Sequence, residues 1–287
     1  MKSILAVVAD GGAGSVLETA LTIGRTMRGH IVGLHAMTTE YAVVFGGEMG
    51  FSISSEVDRT LEREGQERRE QARRLFREAM AAAGVPLGPA EGAAGPTAEW
   101  REEEGRQNTL VGALGRVFDL VVVEQPARQA SLAEATLEDA LFESGRPVVM
   151  APAAVPGGHW DSIGRRIVIA WNGSTETART VALGKPFLKQ AERVEVVSVE
   201  GGVSAPPGPS GEELARNLAR HGIATSWRHV PARGRTPGEA FLEAAREAGA
   251  DLLIKGAYTQ SRLRQMIFGG ATRHIIMEAR IPVLMAH

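Results

Sequence analysis

Three glycines, a threonine and several arginines near the C-terminus are the residues of this sequence best suited to holding an anion. In "GAYTQSRLRQMIFGGATRH", Gly256 follows a short apolar run, and Gly269-Gly270 precede a helix-like run that carries Thr272 in its first turn. Glycine lets a ligand approach the backbone with no Cβ in the way. A helix start offers free N–H groups and the positive end of the helix dipole, which suit phosphate oxygens. The chemistry these residue types suggest is phosphate binding by backbone N–H groups and the Thr272 hydroxyl. Arg262 and Arg264 stand two apart, so on a helical turn they point in different directions and supply only screened attraction. Glycines after strands and before helices are also ordinary turn residues, and surface charge is the plainer reading of the arginines.

Other chemistries find less support. The chain has no cysteine, which excludes disulfides, iron–sulfur clusters and thiol catalysis and fits a reducing compartment. "GGAGS" (Gly11–Ser15) opens a helix as a dinucleotide loop would, but lacks the third glycine, and "ALGKPF" ends in Pro186 where a P-loop needs Ser or Thr. His30 and His35 lack the further ligands of a zinc site. No catalytic residue and no metal ligand is therefore expected. A net charge of −2 points to neither nucleic acid nor an anionic membrane. The apolar run at Ile4–Ala9 is too short for a signal peptide, and no stretch nears the ~20 apolar residues of a membrane span, so a cytoplasmic location is expected.

The elements that must position the glycines come from a sequence that contains itself twice. "ILAVVADGG" matches "IVIAWNGS", "DLVVVE" matches "DLLIKG", and "PVVMAP" matches "PVLMAH", in the same order. Pro-, Gly- and Ala-rich "APAAVPGGHWDSIG" reads as the linker, dividing the chain into domains at 1–152 and 163–287. In the second half, strands are expected at 166–171, 194–199, 223–230, 251–255 and 283–286, with helices at 175–190, 212–221, 237–248 and 271–279. Short apolar runs separated by helices indicate parallel sheets covered on both faces. The fold class is α/β: two tandem doubly wound domains, five strands each. The first half carries extra length over 38–83, including a charged helix expected to present a solvated face. Ligands bind such sheets where the strand order reverses, which would place Asn172-Gly173-Ser174 beside Gly256.

On these motifs the second half resembles a universal stress protein domain, and the whole chain a tandem universal stress protein. Nucleotide-binding members carry Gly, two residues, Gly, nine residues, Gly, then Ser or Thr. Gly256 and Gly269 stand thirteen apart as that pattern requires, but Thr259 replaces its second glycine and Gly270 its Ser/Thr, with Thr272 two residues later. The resemblance implies strand order 3-2-1-4-5, and pairing of the two halves through their last strands as an intrachain pseudo-dimer. It also implies that Asp10 or Asn172 meets the adenine end of a nucleotide and that Val199 contacts the base, while Trp171 packs on the base or fills part of the pocket. The candidate binding residues are then Trp171, Asn172, Gly173, Val199, Lys255, Gly256, Thr259, Gly269, Gly270, Ala271 and Thr272. In the first half, Glu124 stands where Gly256 has its counterpart, so that half should not bind nucleotide in the family manner.

The function implied is a stress-response regulatory protein that binds ATP or a related nucleotide, with magnesium, in its C-terminal domain. Hydrolysis would be weak or absent. An unidentified protein partner and a further homodimer are consistent with it. The alternative is a nucleotide-free scaffold of the same family. An adenylating enzyme on this kind of sheet would need an S-G-G-x-D-S loop, which neither "NGSTET" nor "DGGAGS" supplies.

Overall fold

The computed structural model describes residues 1–9, 13–37, 55–89, 94–127, 131–202, 208–257 and 270–287, with side chains from residue 63 onward in the helix that begins at Ser55. Asp10, Gly11 and Gly12, the 38–54 part of the first-half extension, Thr259, Arg262, Arg264 and Gly269 lie outside the described residues.

Each short apolar run forms a strand, and all but the outermost strand of each half are largely buried. The first half supplies β1 (Ser3–Val7), β2 (His30–Met37), β3 (Thr97–Glu104), β4 (Leu120–Glu124) and β5 (Val148–Ala151). The second supplies β6 (Arg166–Ala170), β7 (Arg193–Val199), β8 (Thr225–Val230), β9 (Leu252–Gly256) and β10 (Val283–Ala286). They make one ten-stranded sheet in the order β3-β2-β1-β4-β5-β10-β9-β6-β7-β8. Read outward from the middle, both halves have the order 5-4-1-2-3, as expected. The central pair β5 and β10 is antiparallel, with Leu284 opposite Val149 and Met285 opposite Val148. Pairing these two strands removes two apolar edges that would otherwise invite aggregation.

Helices cover both faces. On one side lie α1 (Ala13–Met27), α2 (Ser55–Ala82), α5 (Thr175–Leu183), α6 (Lys185–Leu188) and α7 (Gly211–Arg220), packed on a core that includes Ile4, Phe76, Ile169 and Leu284. On the other lie α3 (Gln107–Leu114), α4 (Leu132–Glu143), α8 (Pro237–Glu247) and α9 (Gly270–Glu278), over Leu5, Val168, Leu253 and Met285. The charged helix α2 is solvated on one face only. Its other face buries Ala72, Phe76 and Met80, and a Cβ on Gly33 would come within 2.5 Å of the Phe76 ring.

Three features differ from expectation. The single helix expected over 175–190 breaks at Gly184 into α5 and α6. Pro186 supplies no N–H to continue the ladder, and a Cβ on Gly184 would press on Leu284 at 2.9 Å. The strand expected from 223 begins at Thr225. The stretch read as a linker is itself packed: Ile163 is buried, and the Trp160 indole donates to Thr19 Oγ1 at 3.2 Å.

The repeated "DL" before β4 and β9 is a structural device. Asp251 accepts hydrogen bonds from the backbone N–H of Gly164, Arg165 and Arg166 and from Ser162 Oγ, fixing the entry to β6. Asp119 does the same for Lys2 and Ser3 at β1. Burial pushes the Asp119 carboxyl up, but those two N–H donors, the amino terminus and Arg146 outweigh it and hold it below the usual carboxylate value.

A second tie crosses the halves. Gln125 Nε2 donates to the carbonyls of Ile276 (2.7 Å) and Ala279 (3.2 Å) at the end of α9, and its Oε1 accepts from Ala153 N (2.7 Å). Gln125→Ala strips two helix-end carbonyls and one N–H of their partner. It is expected to cost about 1–3 kcal/mol, read as a lowered midpoint in chemical denaturation with an unchanged slope.

Candidate functional site

The strand order of the second half reverses between β6 and β9, and the crevice above their carboxyl ends is where this type of sheet takes its ligands. Ile169 of β6 is level with Ile254 of β9, so the turn after β6 and the end of β9 lie side by side, as the sequence suggested.

The turn is organised by Asn172. Its Oδ1 accepts from Thr177 Oγ1 (2.6 Å) and from Ser174 N (3.2 Å), while Ser174 caps α5 by accepting from Thr177 N. Gly173 takes φ +77°, which a residue with a side chain adopts at a cost. A Cβ there would also meet the backbone of Gly208 at 3.0 Å, so the Gly208–Ser210 segment lies directly over the turn. Trp171 anchors that segment, its indole N–H donating to Pro209 O at 2.8 Å. The ring is 5% exposed and belongs to the core beside Ile167 and Ile169.

Val199, at the end of β7, is buried on the opposite face, beside Ala170 and Ala257. Gly256 ends β9 against the first turn of α5. A Cβ on it would touch Thr177 N, lie 2.6 Å from Thr177 Oγ1 and 2.7 Å from the Glu176 carbonyl carbon. The space beside this glycine is occupied by a helix, so the glycine permits helix-to-strand contact.

Gly270 opens α9, and no described atom lies within 4 Å of a Cβ built on it. Ala271 is half-buried and Thr272 is buried in the same turn. The outer side of α9, with Gly270, Arg273, His274, Met277 and Glu278, forms an open groove of ≈ 410 Å³. Lys255 is buried near the end of β9 and donates from Nζ to Gly256 O at 3.0 Å. Thr259 and Gly269, the other two motif positions, lie outside the described residues.

The first half shows the equivalent position filled. Glu124 is level with Ala151 in the β4–β5 pair, as Gly256 is level with Ala286 in the β9–β10 pair. A carboxylate therefore stands at the end of β4 where the second half has a glycine. Two features were not foreseen from the sequence: the Gly208–Ser210 cover and the depth of Lys255. The "PPGPS" run signals a turn-rich segment, but not where it lands.

Among described residues, no group of three or more His, Asp or Glu is placed to hold a metal ion, and no helix is long and apolar enough to cross a membrane. The chain matches no curated protein. The model of the Universal stress protein family matches residues 188–287. A solved universal stress protein from Archaeoglobus fulgidus DSM 4304 has a similar structure, with TM-score 0.69 and 18% identity, covering 99% of this chain and 95% of that one. A functionally unknown protein from Pseudomonas aeruginosa PAO1 superposes with TM-score 0.53 at 16% identity, covering 100% and 92%. Residues 188–287 thus match the Universal stress protein family, within a whole-chain fold similar to that of a solved universal stress protein.

Proposed function

We propose that this protein is a stress-response regulator that binds ATP or a related nucleotide in its C-terminal half and hydrolyses it slowly or not at all. The observation that carries this reading is the asymmetry at the two strand-four ends. In the second half a buried cation, Lys255, and a glycine end β9, and α9 opens on a glycine whose Cβ position meets no atom of the described residues. In the first half a carboxylate, Glu124, occupies the corresponding place and would repel a phosphate. On this reading the halves divide near 1–152 and 163–287. Magnesium would arrive with the nucleotide, held by its phosphates. Weak turnover follows from Asn172, a neutral amide whose oxygen already accepts two hydrogen bonds and so can serve as neither general base nor metal carboxylate. The sequence composition fits a cytoplasmic protein.

A nucleotide-free scaffold is the second reading, favoured by Gly208 resting on Gly173 and by Trp171 lying in the core. Mass spectrometry of small molecules released from the purified, denatured protein tests the first reading against it. A nucleotide near one per chain supports binding. The matching variant is Gly270→Val, whose added side chain meets no described atom and should leave the fold intact while blocking the start of α9. Its expected outcome is an unchanged melting temperature and at least a tenfold drop in co-purified nucleotide. Equal occupancy in both proteins would remove α9 from the site.

A further inference from the structure

The penultimate residue of β9 is a lysine that its position does not explain. Lys255 is level with Met285 of β10 and follows the buried Ile254, and it is 5% exposed itself. A strand lysine ordinarily extends its stem over apolar surface and leaves the ammonium in water. Here the ammonium is inside. Its one hydrogen bond goes to the Gly256 carbonyl, which leaves two of its three donors without a partner among the described residues.

A buried cation with no counter-ion is expensive. The charged groups on the elements around it are Glu176 and Arg179 on α5, Arg273, His274 and Glu278 on α9, and His287 after β10. Only Glu176 acts perceptibly on Lys255, and no carboxylate among the described residues forms an ion pair with it. Methionine or leucine would fill this position at no such cost. The position itself is suggestive, since Lys255 stands at the carboxyl end of the strand beside the order reversal, next to Gly256.

We propose that Lys255 is the charged ligand for a phosphate-bearing molecule in this half, its free donors taking an anionic phosphate oxygen that supplies the missing counter-charge. The inference rests on the nucleotide reading and adds to it the group that neutralises the phosphate and a coupling of binding to protons. Burial pushes the Lys255 ammonium down to about 8, with Glu176 opposing the shift. A phosphate within hydrogen-bond reach favours the charged form and raises it again. Binding therefore takes up a proton wherever the free amine is partly neutral, and affinity falls as pH rises above about 8.

The test is calorimetric titration of ATP into the full chain at pH 8.5, in two buffers of different ionisation enthalpy, for the wild type and Lys255→Met. ATP phosphates are fully ionised at that pH, so the nucleotide is not the proton acceptor. Wild type should take up more than half a proton per nucleotide. Lys255→Met should keep or raise the melting temperature, take up none, and bind about 10- to 100-fold more weakly at pH 7, as for loss of a charge-assisted hydrogen bond. Wild-type binding without proton uptake, equalled by the Met variant, overturns the Lys255 assignment and leaves the nucleotide reading standing. A wild type that binds no ATP overturns both.

Discussion

Leu284→Asp is expected to lower the melting temperature sharply and to make the protein prone to aggregation. Leu284 is fully buried at the middle of the ten-stranded sheet, opposite Val149, and belongs to the core beneath α1 and α5. An aspartate there must either ionise in an apolar interior or take up a proton, and it leaves the volume of a leucine partly empty. The combined cost is about 4–5 kcal/mol, against a total stability of about 5–15 kcal/mol. Because the same strand closes the apolar edge of β5, its loss also exposes a pairing surface. Size-exclusion chromatography and thermal melting check this. A monodisperse variant melting within two or three degrees of wild type would mean that the β5–β10 junction does not hold the halves together.

Gly256→Glu should have the next largest effect, and through two separable routes. The added side chain drives into the first turn of α5 at Glu176 and Thr177, and backbone there cannot move as a side-chain tip could. Overpacking of this kind costs about 1–3 kcal/mol, occasionally more. The variant also places a carboxylate beside the proposed phosphate position, copying Glu124 of the first half. We expect a clear loss of melting temperature together with undetectable ATP binding. Retained affinity would sink the assignment of this strand end to the site. The converse change, Glu124→Gly, should create no site, since the first half has no counterpart of Gly269-Gly270. Because Gly256 has a packing role, loss of binding in its variant alone does not locate a phosphate, and Gly270→Val is the cleaner probe.

The repeat order made the sheet legible before any coordinates. Matching "PVVMA" to "PVLMA" marked the last strand of each half, the family resemblance implied that these two pair, and apolar runs between helices identified both wings. What the sequence misplaced follows from local chemistry. The 175–190 periodicity runs through Gly184 and Pro186 without a break in pattern, yet Gly184 must lie close to Leu284. The site was legible in its address more than in its contacts. Asn172 and Gly256 do meet at the strand-order reversal, but Gly256 is a glycine because α5 crosses it, and Asn172 spends its oxygen on Ser174 and Thr177. Lys255 sits in a run of five residues that reads as a fully buried strand. Sequence alone does not tell whether such a lysine escapes to water or stays inside, because that depends on whether Met285 and the neighbouring helices leave it an exit. Trp171 poses the same problem, its depth being set by the Gly208–Ser210 segment some forty positions away.

The most direct test of the central claim is the stoichiometry of ATP binding to the intact wild-type chain, by calorimetric titration with magnesium at pH 7. One nucleotide per chain is the predicted result, since the second half ends β9 in Lys255-Gly256 and the first ends β4 in Glu124. Two per chain would contradict the asymmetry between the strand-four ends, and none would contradict nucleotide binding itself.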